Sequence, residues 1–501
     1  MSEYATGATI CGSVAFVFTI AIFAMAVVAF VTQPSLPSAP NQGTATTWVR
    51  GNPTGQPQLG GAGLLAASGS GAANVSATRP ATVTKNNVMP LAWDAAKGIY
   101  YMQFTAGESE VLAVLDTGSA RCVLATPATA GPGVTVYTPP TGPGTQVKDP
   151  RTGGPCTASI AYVSQQDTVT VYNDTLTVPR VTIATPALCS GTPITQVVQA
   201  GAKGILPAPL SITDFPVSAI TSGGASLNVL GMSAVQAVTR EGSQYFLPSC
   251  QLSGTPQYES ELIQALSVYD ASAGVADVVW SMMLGTSPPA GGGGGGPLLG
   301  GFPVAGTVAF GPLDIPCLAP QYATMYPTLT HASSSLVNTP YRYYVVELTG
   351  CSIGAAGTDP ATWTRTLPGF PKYVLVDSGT TQGLLPGPSG AANAAALNGL
   401  GPGDMAVIWV KGAAGGVIGI TYTPTDVVYV DGTGSTQAVF AGMDAAPLPP
   451  DAPSYPVAQS FSSQMDVGIL GNTALRNLYV EFNLTRHTIG FGQIAAAAPT
   501  S

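Results

Sequence analysis

Val-Leu-Asp-Thr-Gly-Ser at residues 114–119 and Val-Leu-Val-Asp-Ser-Gly-Thr-Thr at residues 374–381 are the two stretches that decide the fold. Each is an apolar run that ends in Asp, a small hydroxyl residue, Gly and another hydroxyl residue, which predicts a strand followed by a tight turn. Because the pattern occurs twice, we expect two related halves, with one carboxyl group from Asp116 and one from Asp377. Two carboxyl groups held close together cannot both ionise, so one keeps a proton and acts as an acid while the other acts as a base.

The composition favours an all-β protein. The chain has 501 residues, enough for two or three domains with a large core. Only 8% of the residues are charged, whereas 61 are Gly and 44 are Pro, a balance typical of short strands with many turns and long loops. The net charge is −9, with 16 Lys and Arg residues and no basic cluster, so we exclude nucleic acid as a partner.

Residues 10–31 are almost wholly apolar. About 20 such residues span a bilayer as a helix. The preceding tail, residues 1–9, carries Glu3 and no Lys or Arg, unlike the basic start of a cleaved signal peptide. We therefore favour a transmembrane signal anchor, with a cleaved signal peptide as the alternative.

Cysteines and glycosylation motifs predict that the rest of the chain lies in the lumen or outside the cell. The six cysteines beyond the apolar segment are compatible with three disulfide bonds in an oxidising compartment. None has zinc-ligand spacing, so we expect neither a metal nor a cofactor. These cysteines are Cys122, Cys156, Cys189, Cys250, Cys317 and Cys351, and the possible N-glycosylation sites of the predicted glycoprotein are Asn74, Asn173 and Asn483.

Composition also divides the chain into segments. Residues 32–88 are rich in Pro, Gly, Ser and Thr and have little periodicity, which predicts a flexible stalk. From residue 89 onward, short β-like runs alternate with Gly and Pro turns. We predict an N-terminal lobe at 89–315 and a C-terminal lobe at 316–495, one for each Asp motif.

The order of the motifs between residues 90 and 495 resembles the pepsin-like aspartic protease family. Asp116 and Asp377 stand in segments similar to its two catalytic loops, and residues 467–483 resemble its C-terminal signature. Residues 343–354 look like the strands that enter the second lobe, especially in plant-type members. The resemblance implies a bilobal fold with a cleft between the lobes, a monomeric catalytic domain, and hydrolysis of protein or peptide substrates by an activated water.

The resemblance also assigns roles around the two aspartates. Hydroxyl groups beside them would bond across the lobe interface or to the outer carboxylate oxygens, and the glycines let the backbone approach closely. The catalytic pair would be Asp116 and Asp377, the cross-lobe pair Thr117 and Ser378, the carboxylate partners Ser119 and Thr380, and the glycines Gly118 and Gly379.

A hairpin flap should cover the cleft, and residues 158–178 are similar to it, with Tyr162 as the substrate-binding tyrosine. Three features depart from the family pattern. Val163 replaces the usual Gly after that tyrosine, and Val123 replaces the Trp that packs against it, a Trp that the β-secretases also lack. Residues 204–207, Gly-Ile-Leu-Pro, look like the first-lobe counterpart of the apolar-apolar-Gly segment near residue 470, with Pro in place of Gly.

Two other interpretations compete with an enzyme of this class. Some pepsin-fold proteins, such as plant xylanase inhibitors, are catalytically inactive binding proteins, but these have lost part of the catalytic apparatus, whereas both Asp-x-Gly motifs are complete here. A Ser-His-Asp arrangement is disfavoured because the only two histidines, His331 and His487, are better explained as structural or surface residues. We therefore predict an aspartic endopeptidase.

Overall fold

The computed structural model is mostly β-strand with a few short helices, which confirms the all-β prediction. The predicted membrane segment 10–31 and Asn74 lie outside the described residues, and none of the helices within the described part is long and apolar enough to cross a membrane. The structure describes residues 46–48, 87–119, 121–142, 144–149, 152–162, 165–204, 207–233, 239–241, 244–246, 252–253, 260, 262–263, 265–266, 278–285, 297–311, 313, 315, 320–326, 343–431, 433–443 and 467–493.

Strands follow one another closely in the described residues of the first part of the chain, and two short helices that are described over their whole length interrupt them. The helices are α1 (Thr185–Cys189) and α2 (Ile194–Lys203). The strands are β1 (Thr46–Trp48), β2 (Asn87–Asp94), β3 (Ile99–Ala106), β4 (Ser109–Asp116), β5 (Cys122–Leu124), β6 (Thr157–Tyr162), β7 (Gln165–Val178), β8 (Leu210–Ser222), β9 (Val229–Gly231), β10 (Thr239–Glu241), β11 (Gln244–Phe246), β12 (Leu252–Ser253), β13 (Val279–Leu284), β14 (Leu298–Leu299), β15 (Phe302–Phe310) and β16 (Gln321–Thr324).

The second part of the chain has the same character. Its described residues include the α-helix α3 (Gly390–Asn398) and a 3₁₀ turn at Pro360–Thr362. Its strands are β17 (Val345–Ala355), β18 (Arg365–Thr366), β19 (Lys372–Asp377), β20 (Gly383–Pro386), β21 (Asp404–Lys411), β22 (Val417–Tyr422), β23 (Val428–Val430), β24 (Thr436–Ala438), β25 (Phe440–Met443), β26 (Val467–Gly471), β27 (Leu478–Asn483) and β28 (Thr488–Gln493).

Two large sheets contain most of these strands. The first has the order β16-β28-β27-β13-β15-β2-β3-β4-β9-β5-β8-β7-β6, and the second β1-β22-β21-β17-β19-β26-β20-β25. The first sheet thus contains β16, β27 and β28, which follow residue 315 in the chain. The division between the two sheets therefore does not coincide with the predicted division into lobes at 89–315 and 316–495. The boundary between the lobes stays a prediction. Strand β1, within the predicted stalk, lies at the edge of the second sheet and pairs with β22.

One four-stranded arrangement occurs in both sheets. In the first, β9 lies parallel to β4 and antiparallel to β5, and β8 lies parallel to β5. In the second, β26 lies parallel to β19 and antiparallel to β20, and β25 lies parallel to β20. The doubled sequence motif predicted two related halves, and this repeat provides them. Each repeat places the end of an Asp-bearing strand beside a glycine.

Apolar side chains explain why the Asp-bearing strands lie deep in the structure. In β4, Leu115 is fully buried and belongs to the main hydrophobic core. In β19, Val374 and Val376 are fully buried and Leu375 is 1% exposed, so both faces of the strand are covered. A continuous apolar run is what a strand buried on both faces requires. This packing fixes the position of the aspartate at the end of each strand.

Candidate active site

Asp116 and Asp377 occupy equivalent places in the two repeats. Each is the last residue of its strand, β4 or β19, where the apolar run gives way to a turn. Asp116 is paired with Gly231 and Asp377 with Gly471 on the neighbouring parallel strand. Asp116 is half-buried and Asp377 is buried.

The hydrogen bonds of the two carboxyl groups repeat as well. The Gly118 amide donates to Asp116 Oδ1 at 2.8 Å, and the Ser119 hydroxyl donates to Asp116 Oδ2. In the second loop, the Gly379 amide donates to Asp377 Oδ1 at 2.9 Å, and Thr380 Oγ1 donates to Asp377 Oδ2 at 2.7 Å. Each carboxyl group thus accepts a hydrogen bond at both oxygens, which fixes its orientation.

The two loops are joined by four reciprocal hydrogen bonds. Thr117 Oγ1 donates to the Val376 carbonyl at 2.8 Å and accepts from the Ser378 amide at 2.8 Å. Ser378 Oγ donates to the Leu115 carbonyl at 2.6 Å and accepts from the Thr117 amide at 3.2 Å. All four are buried, where a hydrogen bond is stronger than it is in water. Neither loop can shift without breaking bonds to the other.

The glycines let the loops approach each other. A Cβ atom on Gly379 would lie 2.4 Å from Asp116 Oδ1, and one on Gly118 would lie 3.0 Å from Asp377 Oδ1. The backbone of each loop therefore lies against the carboxyl group of the other. A larger residue at either position would push the two carboxyl groups apart.

The Asp116 carboxyl group has a strongly shifted acidity. Burial, followed by the neighbouring charge of Asp377, raises the pKa of Asp116 to about 8. A Cβ atom on Gly118 would lie 3.0 Å from Asp377 Oδ1 and 3.2 Å from Asp116 Oδ1, so the two carboxyl groups lie close together. The site therefore holds a proton that an isolated aspartate would lose well below neutral pH.

The glycine segment that supports the first loop was placed wrongly from the sequence. Strand β9, with the sequence Val-Leu-Gly at Val229–Gly231, lies parallel to β4, just as β26 lies parallel to β19. In the segment at 204–207, which the sequence offered instead, residues 205 and 206 lie outside the described residues. The first repeat therefore has glycine at this position, and the proposed departure from the family pattern disappears.

Asn228 holds β9 in place and was not predicted from the sequence. Its Oδ1 accepts from the Ala125 amide at 2.7 Å, and its Nδ2 donates to the Leu112 carbonyl at 3.1 Å. It thus links β9 to both neighbouring strands. A polar residue directly before an apolar-apolar-Gly segment is the signal that could have identified it.

The predicted flap is a β-hairpin in the structure. Strands β6 and β7 pair as far as Tyr162 and Gln165, while Val163 lies outside the described residues. Val123 is 1% exposed and packs in an apolar cluster with Val169 of β7. An aliphatic contact below the hairpin thus takes the place of the usual tryptophan. A substrate-binding role for Tyr162 stays a prediction.

Of the other residues singled out in the sequence, Cys250, Cys317 and His331 lie outside the described residues. Asn483 is buried, and its Oδ1 accepts from the Arg486 amide at 2.9 Å, which disfavours a sugar chain there. Asn173 is half-buried in β7, and its glycosylation stays a prediction. Cys351 is a buried free thiol, so the expectation of three disulfides among six cysteines is wrong. No cluster of metal-binding side chains occurs among the residues that the structure describes.

Comparisons with known proteins give matches among solved structures. No family model matches the chain, and no curated protein matches it. Among solved structures, the chain is similar to the aspartic proteinase from Irpex lacteus, at 14% sequence identity and a TM-score of 0.48. The match covers 83% of this chain and 100% of that one.

The raised pKa of Asp116 predicts a pH dependence of stability. Between about pH 4 and pH 8 the folded protein keeps a proton that the unfolded chain has lost, so the free energy of unfolding falls as pH rises. Asp116→Asn should flatten this slope, measured by urea unfolding across the range. Asp431→Asn is the control, because hydrogen bonds lower the pKa of that exposed carboxyl group to about 2, outside the range. Equal slopes in the wild type and Asp116→Asn would contradict the shift.

Proposed function

We propose that the chain is an aspartic endopeptidase that hydrolyses peptide bonds with Asp116 and Asp377. The observation that carries the proposal is the symmetry of the pair: two carboxyl groups that lie close together, each held by a glycine amide and a hydroxyl group. A carboxylate that has a structural role in an ion pair has a cationic partner. The groups that donate hydrogen bonds to Asp116 and Asp377 are neutral instead. A buried, proton-sharing pair is suited to general acid–base catalysis.

In the proposed reaction, a water molecule lies between the two carboxyl groups. The ionised carboxylate takes a proton from the water, and the oxygen attacks the peptide carbonyl carbon. The protonated carboxyl group meanwhile gives its proton to the carbonyl oxygen, which yields a tetrahedral gem-diol. In the second step, one carboxyl group protonates the amide nitrogen, the C–N bond breaks, and a gem-diol proton returns to the pair. No covalent intermediate forms.

The proposal fixes the direction of the pH dependence. The pair works with one proton, so activity is lost at low pH, where a second proton binds, and at high pH, where the shared proton leaves. Because the pKa of Asp116 is raised to about 8, the high-pH loss should begin near neutral pH. Cleavage should therefore extend from acidic pH up to about pH 7.

Cleavage of a mixed peptide library between pH 3 and pH 7, with and without pepstatin, tests the proposal. Asp116→Asn and Asp377→Asn should each lower the rate about 10²- to 10⁴-fold, the usual contribution of acid–base catalysis. Asp431→Asn, at an exposed loop carboxylate, is the matched control and should leave the rate unchanged. A wild-type protein that cleaves nothing at any pH would contradict the proposal and favour the inactive binding protein.

For the N-terminal part, we propose a membrane anchor at residues 10–31, with the β domain on the lumenal or extracellular side. The apolar length of the segment and the lack of basic residues before it support an uncleaved anchor. The glycosylation motifs at Asn74 and Asn173 support the lumenal or extracellular side. Protease added to intact cells should digest the β domain of protein at the cell surface. Protease added to sealed microsomes should leave the β domain intact, because the domain then lies inside the vesicle. Digestion of the β domain in right-side-out microsomes without detergent would place it in the cytosol and contradict the proposal.

A further inference from the structure

Tyr344 lies directly behind the two catalytic loops. It precedes β17 and is fully buried. Its ring centroid is 4.3 Å from that of Phe482 and 5.9 Å from that of Trp280, so its position is fixed by aromatic packing. Nothing in the sequence motifs assigned a role to this side chain.

The main chain of Tyr344 is bonded to the second loop. Its carbonyl accepts a hydrogen bond from the Val376 amide at 2.8 Å. Val376 directly precedes Asp377, and its own carbonyl accepts from Thr117 Oγ1 at 2.8 Å. A single hydrogen bond therefore connects Tyr344 to Val376, the residue that contacts Thr117 of the other loop.

The side chain of Tyr344 is bonded to the support of the first loop. Its hydroxyl group donates to the Met232 carbonyl at 2.7 Å, and the Met232 amide donates to the Asp116 carbonyl at 2.7 Å. Trp280 Nε1 donates to the same hydroxyl at 3.0 Å, which occupies an acceptor site on the hydroxyl oxygen and orients its proton toward Met232. One residue thus connects the strand of Asp377 to the loop of Asp116.

We propose that Tyr344 is a positioning residue that sets the separation between the Asp116 and Asp377 loops. Its rigid ring spans the two loops, with a backbone bond at one end and a hydroxyl bond at the other. Buried hydrogen bonds of this kind reinforce one another in a low-dielectric interior. A small misplacement of the reacting groups lowers the rate by a large factor, so a residue that fixes the distance between the loops affects catalysis as well as folding. The catalytic part of this inference rests on the proposed peptidase function.

The separation of the loops also controls the shared proton. Asp377 is the charged group that faces Asp116, while Ser119 and the Gly118 amide are its neutral donors. If the loops move apart, the repulsion between the carboxyl groups weakens. The pKa of Asp116 then falls toward its ordinary value.

Tyr344→Phe tests the proposal, since it keeps the ring and the backbone bond and removes only the hydroxyl group. We expect kcat to fall about tenfold with little change in KM, because a buried hydrogen bond is lost. The high-pH limb of the rate profile should move down by about 0.5 to 1 pH unit. Tyr100→Phe is the matched control: Tyr100 is equally buried, and its hydroxyl donates to the Gly285 carbonyl, away from both loops.

A second readout does not depend on activity. The slope of the unfolding free energy against pH is first compared between the wild type and Asp116→Asn. The same comparison is then repeated with Tyr344→Phe, or with Tyr100→Phe, added to both proteins. We expect this Asp116-dependent difference to shrink with Tyr344→Phe and to persist with Tyr100→Phe. If the wild type cleaves no peptide, the peptidase proposal fails, while this measurement still decides the role of Tyr344.

Two results would overturn the inference. The first is an equal loss of stability in Tyr344→Phe and Tyr100→Phe with both pH profiles unchanged, which would make Tyr344 an ordinary core residue. The second concerns Trp280→Phe, which is used if Tyr344→Phe does not fold. This variant removes the donor that orients the Tyr344 hydroxyl and should move the high-pH limb in the same direction by a smaller amount. An unchanged profile in that variant would also refute the proposal.

Discussion

The reciprocal hydrogen bonds between Thr117 and Ser378 are the constraint on which the rest of the site depends. Each hydroxyl group donates to a carbonyl of the opposite strand and accepts from an amide of the opposite loop. Because each residue directly follows an aspartate, these bonds also bring the two carboxyl groups together. The raised pKa of Asp116 is a consequence of this geometry, since burial and the charge of Asp377 act at the same place.

The surrounding sheets hold the two Asp-bearing loops in place, which the loops cannot do alone. In each repeat a glycine-ended strand lies parallel to the Asp-bearing strand, and a Cβ atom on Gly471 would lie 2.2 Å from the Gln382 carbonyl oxygen. Holding two carboxyl groups close together is unfavourable, and such strain persists only where the surrounding structure holds it. The buried apolar residues before each aspartate and a second layer of bonds through Tyr344 meet that requirement.

Much of the site was predictable because its signal is local. Asp116 and Asp377, with the hydroxyl residues and glycines beside them, form short patterns that can be found in the sequence alone. Gly231 was missed, because residues 204–207 offered a similar apolar pattern and only the pairing of β9 with β4 distinguishes the two. Tyr344, Met232 and Trp280 form contacts between residues far apart in the chain, and no spacing rule relates them. Such contacts depend on the packing of the whole fold.

The central claim is that Asp116 and Asp377 share a proton, and ¹³C NMR titration of carboxyl-labelled aspartates tests it most directly. Asp116→Asn identifies the Asp116 resonance by its loss, and Asp377→Asn removes the neighbouring charge. The account predicts that Asp116 titrates near pH 8 in the wild type and at a clearly lower pH in Asp377→Asn. Titration of Asp116 near pH 4 in both proteins, as for an isolated aspartate, would contradict it.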